Sequence, residues 1–285
     1  MMPLSRRKFL KASLLSATTG AAGLISLIYM GHLETDDVDV VQIDVHLPRL
    51  SPAFEGYRLA QISDIHMGTG MTADKLATIA DLTNQQQPDL ITITGDFVTH
   101  GSVAALGPML IEPLREFAAP DGVVGVLGNH DFWTDAAAVR RILEQSDVLD
   151  VSNGVTTVHR DGESLHIAGV DTLWYHQDRL DLVLDQLPDE GAAILLAHEP
   201  DFADISGPTG RFDLQLSGHT HGGQINLPLV GPPFLPPHGK KYPLGQYQVG
   251  GMIQYTNRGV GTVGPPLRIN CRPEVTLFTL HARGI

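Results

Sequence analysis

The feature that most constrains this chain is a repeated pairing: a short apolar run, followed at once by a cluster of side chains able to bind metal. Asp64-Ile65-His66 follows Arg58–Ser63, Gly95-Asp96 follows Leu90–Thr94, and Gly128-Asn129-His130-Asp131 follows Val123–Leu127. His198 follows Ala193–Ala197, and Gly218-His219-Thr220-His221 follows Leu214–Ser217. Short apolar, β-branched runs bounded by Gly and polar residues read as strands buried on both faces. In an open α/β sheet the carboxyl ends of strands gather along one edge, where binding sites form. Five clusters at five strand ends therefore converge in space, although they are far apart along the chain.

Between these runs the spacing is helical over Ala73–Asn84, within Ala104–Ala118 and over Ala136–Gln145. Further strands are expected at Val40–Val45, Leu165–Val170, Ile253–Thr256 and Val275–Leu280. An alternation of this kind gives an α/β architecture with sheets covered by helices. With 285 residues, 42% of them hydrophobic, the chain can bury one large core. Residues 31–57 read as a linker with the first strand, and residues 58–285 as the main domain. The stretch Leu227–Tyr247 is rich in proline, with Phe234 and Leu235 among the prolines, and cannot be a regular helix or central strand. It reads as a long surface loop. Its alternatives are a packed connector or a wall that meets substrate or membrane.

The ligand types point to one task. Carboxylate, imidazole and amide oxygen together favour Mn, Fe or Zn over Ca. A single cysteine, Cys271, rules out an intramolecular disulfide and argues against a thiolate zinc site. Cys271 lies in a strand-like stretch and reads as a buried, inert thiol.

Charge and the amino terminus bear on partners and address. The net charge is −13. The four basic residues Arg6, Arg7, Lys8 and Lys11 sit in residues 1–30, which leaves 15 basic against all 32 acidic residues in the rest. So acidic a body repels phosphate backbones, and no nucleic-acid partner is expected. A phosphate substrate is still allowed, because bound cations invert the local field. Residues 1–30 resemble a twin-arginine export signal: Arg6-Arg7 precedes Phe9-Leu10, then a soft stretch rich in Ala, Gly, Ser and Thr runs to Met30. The alternative is a basic-ended membrane anchor. Either way the expectation is engagement of the twin-arginine machinery or the membrane surface, with the enzyme on the outer face of the cytoplasmic membrane or in the periplasm.

The ordered set D-x-H, G-D, G-N-H-D, H and G-H-x-H resembles the calcineurin-like metallophosphoesterase family, over roughly Arg58 to Leu280. The resemblance implies a four-layer sandwich of two mixed β-sheets flanked by helices. It implies that Asp64, His66, Asp96 and His221 hold one divalent cation. Asp96, Asn129, His198 and His219 would hold the other, with Asp96 bridging. It further implies a phosphoester hydrolase acting by metal-hydroxide attack, with His130 facing the substrate as a general acid. Asp131 would either orient His130 or serve as a turn residue. After Gly95-Asp96 the chain reads Phe97-Val98-Thr99-His100, which departs from the V-D-R-G of protein Ser/Thr phosphatases. The export-like segment and Asn257-Arg258-Gly259-Val260-Gly261 are more similar to the bacterial exported, membrane-associated phosphodiesterase branch. That likeness makes a lipid-linked or envelope phosphodiester or pyrophosphate the expected substrate, a small exported phosphomonoester or a non-catalytic metal-binding scaffold the alternatives, and Arg258 either a phosphate contact or a structural arginine.

Overall fold

The computed structural model describes residues 34–282 together with Tyr29 and Gly31. The arginine pair, and all but Tyr29 of the apolar stretch behind it, lie outside the described residues. Among the described residues no helix is long and apolar enough to cross a membrane.

Among the described residues, twelve strands form two six-stranded sheets. In the first, β1 (Asp39–Leu47) lies at one edge, then β12 (Glu274–Ala282), β2 (Tyr57–Ile62), β3 (Leu90–Thr94), β4 (Val123–Val126) and β5 (Val148–Asp150). Only the β12–β2 pair is antiparallel. The second runs β10 (Gly245–Val249), β11 (Met252–Thr256), β9 (Leu214–Ser217), β8 (Ala192–Leu196), β7 (Glu163–Gly169) and β6 (Gly154–Arg160). Its two edge pairs are antiparallel and its interior is parallel. Both sheets are thus mixed, as expected.

Strand alternation explains the layering. In β8, Ile194 and Leu196 point into the core between the sheets, while Ala193 and Leu195 point to the outer face. In β2, Leu59 enters that same inter-sheet core and Ala60 and Ile62 face outward. Leu76 and Ile79 of the helix Ala73–Asn84, Leu110 and Leu114 of Val103–Arg115, and Val139 and Ile142 of Ala136–Gln145 cover that outer face. Val183, Phe202 and Phe212 cover the outer face of the second sheet. Helix, sheet, sheet and helix make four layers. Each fully buried Leu, Ile or Phe contributes on the order of 1.5–3 kcal/mol of transfer free energy. Local signals close the helices: Thr72 accepts from the Lys75 N–H and Asp135 from the Ala138 N–H, each cap worth about 1 kcal/mol.

Three strands escape a reading by apolar runs: β5, β6 and β10. All are sheet edges, and β6 and β10 are only half-buried, so their residues (Gly154-Val-Thr-Thr-Val-His-Arg160, for example) carry no continuous apolar stretch. The first strand, expected in a lead-in segment, pairs with β12 over its whole length and belongs to the sandwich.

Candidate metal centre

The parallel strands of both sheets end on one side, and their carboxyl ends carry the predicted clusters. The first sheet supplies Asp64 and His66 after β2, Asp96 after β3, and Asn129 and His130 after β4. The second supplies His198 after β8, and His219 and His221 after β9. Gln61 ties the sheets together beneath the site: its side-chain amide donates to Thr94 Oγ1 (3.0 Å) and to the carbonyl of Ser217 (2.9 Å).

All seven expected ligands are buried. Asp64, His66 and His221 bring ligand atoms within 4.8 Å of one another, and so do Asp96, His198 and His219. Asp96 stands between these trios. Its Oδ2 lies 3.1 Å from His198 Nε2 and 3.5 Å from His66 Nε2. His221 Nε2 is 3.0 Å from His66 Nε2 and 3.3 Å from Asp64 Oδ1. Two donor atoms, Asn129 Oδ1 and His198 Nε2, are buried with no hydrogen-bond partner. A buried polar atom left unpaired costs about 1–3 kcal/mol. Convergent imidazoles and carboxylates with orphaned donors fit divalent cations, which would satisfy these atoms.

The far side of each imidazole is held in place. His198 Nδ1–H donates to the carbonyl of Thr94 (2.7 Å) and His219 Nε2–H to that of Pro237 (2.8 Å). His66 Nδ1 meets Thr99 Oγ1 (3.1 Å). Such contacts choose the tautomer and aim the free nitrogen. The carboxylates are held too: Asp64 accepts from the His219 N–H (3.0 Å) and Asp96 from the His130 N–H (2.9 Å). Burial alone would raise the Asp64 and Asp96 carboxyls, but His221 beside the first and His198 beside the second outweigh it, so both stay well below the usual carboxylate range. Burial pulls the His66 imidazole down to about 4.

The backbone here is unusual. Asp64, His66, Asp96, His219 and His221 all have positive φ, between 51° and 72°. Non-glycine residues rarely adopt this region, and clusters of such strain mark functional sites. Two glycines make the close packing possible. A Cβ on Gly218 would fall 1.8 Å from Ser63 Oγ and 2.3 Å from Asp64 Oδ2, and one on Gly128 would fall 2.2 Å from Asp96 Oδ1.

His130 lines the cleft that opens above the centre, and Asp131 does not contact its ring. The His130 ring donates from Nδ1 to the carbonyl of Thr99 (2.8 Å), whereas Asp131 accepts from the backbone N–H groups of Gly128 (2.9 Å) and Val98 (3.1 Å). Asp131 is a turn residue whose carboxyl is pushed up to about 8 by burial and by Asp96. Arg258 is not brought to the cleft either. Its guanidinium pairs with Glu274 and with Asp39 (3.2 Å), so the arginine is structural. Cys271 is buried, its thiol donates to the carbonyl of His221, and burial raises it, which agrees with an inert role.

Three further residues build the site without standing in any of its motifs. Thr99 holds both His66 and His130. Arg268 is fully buried, donates to the carbonyls of Arg258, Gly259 and Gly261, and lies 3.4 Å from His221 Nδ1. Glu199, next to His198, accepts from Thr172 Oγ1 and from the Leu173 and Trp174 N–H groups (3.1 and 3.3 Å), which sets Trp174 against His219. Only Glu199 carried a sequence signal, a second acid directly beside a ligand histidine.

The cleft has a volume of about 380 Å³. Asp96, Asn129, His130, His219 and His221 form its floor, while Trp133, Trp174, Ile225, Phe234 and Val263 are among its apolar walls.

Comparison with known proteins agrees with this geometry. Residues 57–223 match the family model described as calcineurin-like phosphoesterase. The chain is 37% identical to the metallophosphoesterase YkuE of Bacillus subtilis, over 99% of each chain. It is 30% identical to the phosphodiesterase YaeI of Escherichia coli, over 97% of this chain and 99% of that one. It is 31% identical to a transmembrane protein with a metallophosphoesterase domain from Danio rerio, over 85% of this chain and 57% of that one. The chain belongs to the calcineurin-like phosphoesterases and is a metal-dependent phosphoric ester hydrolase.

Proposed function

We propose that this enzyme is a dinuclear phosphodiesterase acting on a phosphodiester or pyrophosphate that carries an apolar, lipid-like group. The position of Asp96 carries the reading: its carboxylate reaches toward His66 on one side and His198 on the other. Asp64, His66, Asp96 and His221 would hold one cation, and Asp96, Asn129, His198 and His219 the second, with Mn, Fe or Zn suited to the donors. Bound cations supply Lewis acidity at a phosphoryl oxygen and at water. With its Nδ1–H committed to Thr99, His130 carries any further proton on Nε2, from which it passes to the leaving oxygen. Trp133, Trp174 and Phe234 exclude water beside the reacting phosphate and offer an apolar group a wall.

The test is hydrolysis of bis-p-nitrophenyl phosphate by the whole chain, chelated and then reloaded with Mn²⁺ or Zn²⁺, with bound metal counted. Two ions per chain and restored diesterase activity are expected, with an Asn129→Ala variant short of one ion and inactive. One ion per chain, or preference for p-nitrophenyl phosphate, would overturn the reading.

The paired arginines and soft apolar stretch of residues 1–30 support export through the twin-arginine route to the outer side of the cytoplasmic membrane. Lysine at Arg6 and Arg7 should hold the chain in the cytosolic fraction, and unchanged export would reject this address.

A further inference from the structure

Residues 222–239 contain no Asp, Glu, Lys or Arg, in a chain with a net charge of −13. Within them Leu227–Gly231 folds back on itself: the Leu227 carbonyl accepts from the Val230 N–H (3.1 Å) and the Gly231 N–H (2.9 Å). The turn lifts Leu229 to 108% relative exposure and Val230 to 73%, and Phe234 nearby is 72% exposed. Leu229 also has φ 66°, a conformation that glycine or asparagine adopts more easily. A tight turn in water alone would be better served by glycine, so the leucine is explained by what its side chain meets.

The surroundings say what that is. Trp133, exposed by more than a third, lines the cleft with Phe234, and Tyr175, also exposed by more than a third, is stacked on Phe132. Amphipathic aromatics beside protruding aliphatic side chains are the pattern of a membrane–water interface. The loop is followed at once by Lys240 and Lys241, which suit the headgroup level, and Lys240 is exposed. No long-range attraction is needed, and the acidic body would resist one at an anionic surface.

We propose that the Leu227–Phe234 loop inserts into the outer layer of a lipid bilayer, with Leu229, Val230 and Phe234 as the wedge, so that the metal cleft opens at the membrane surface. The attachment is shallow and reversible, distinct from any span. It does not depend on turnover and stands or falls apart from the phosphodiesterase reading.

The experiment is a tryptophan placed in the wedge, Phe234→Trp, in the full chain with phosphatidylcholine vesicles whose acyl chains are brominated. The difference in emission from the parent chain should move to the blue on binding and be quenched by the bromines. In a Leu229→Asn/Val230→Ser background, vesicle partitioning should fall at least tenfold and the quenching should disappear, with the thermal midpoint unchanged. The parent and the variants share residues 1–30, so any binding by that segment cancels. Unquenched emission at position 234 would overturn the proposal. Loop-dependent self-association without quenching would also overturn it, in favour of a protein partner.

Discussion

The His130 ring is anchored by Thr99, whose carbonyl oxygen lies 2.8 Å from His130 Nδ1, while the hydroxyl of the same threonine meets His66 Nδ1 at 3.1 Å. One residue therefore aims both a candidate ligand and the candidate acid. A Thr99→Val variant keeps the carbonyl and loses the hydroxyl. Outer contacts of this kind are worth about 10–100-fold in metal affinity or activity. Competition with a chromogenic chelator should show such a weakening, with His130 still in place and the metal-free thermal midpoint little changed.

Acid catalysis by His130, as proposed, would have its own signature. His130→Ala should slow diesters with poor leaving groups by about 10²–10⁴ in kcat. Diesters of p-nitrophenol, whose leaving oxygen needs no proton, should suffer far less. A loss that is equal for all leaving groups would make His130 a binding residue instead.

Gly218 tests how tightly the centre is built. A methyl group there would meet Ser63 Oγ at 1.8 Å and Asp64 Oδ2 at 2.3 Å. Gly218→Ala should cost about 1–3 kcal/mol through overpacking, seen as a lower urea midpoint. It should also displace Asp64, so metal analysis of the purified variant should show ion loss beyond what the stability change explains.

A pH dependence follows from Asp171, which is buried and paired with Arg140 (2.5 Å). Burial raises its carboxyl to about 6, with Arg140 opposing. Between its ordinary value and about 6, the folded chain holds a proton that the unfolded chain releases. The group's contribution is therefore full below about pH 4 and is lost as pH rises through 6, on the order of 3 kcal/mol. Urea unfolding from pH 4 to 7 should show Asp171→Asn gaining on the parent as pH rises. A constant difference would reject the linkage.

The centre was legible in the sequence because its ligands are rare side chains set directly behind strands whose apolar runs are plain. Asp64, Asp96 and His219 needed only the run before them to be placed. The supports were not legible, because Thr99, Arg268 and the Pro237 carbonyl reach their histidines across long stretches of chain that no local pattern links. The left-handed backbone at Asp64 and His66 was equally hidden, since neither residue type demands it. At Arg258 the sequence offered two roles, and only the nearness of Glu274 and Asp39 decides between them. Of the four edge strands, β5, β6 and β10 were missed because none carries a continuous apolar run.

Each of the two proposed ligand sets draws on both sheets: His221 joins Asp64, His66 and Asp96 from across the sandwich, and His198 and His219 join Asp96 and Asn129. Neither half of the molecule completes either four-ligand set by itself. On the proposed ligand sets, a half-assembled chain therefore owns the donor atoms but neither complete set, and hydrolytic competence would arrive only when the two halves close. Activity in this enzyme is a certificate of completed folding, withheld from every intermediate along the way.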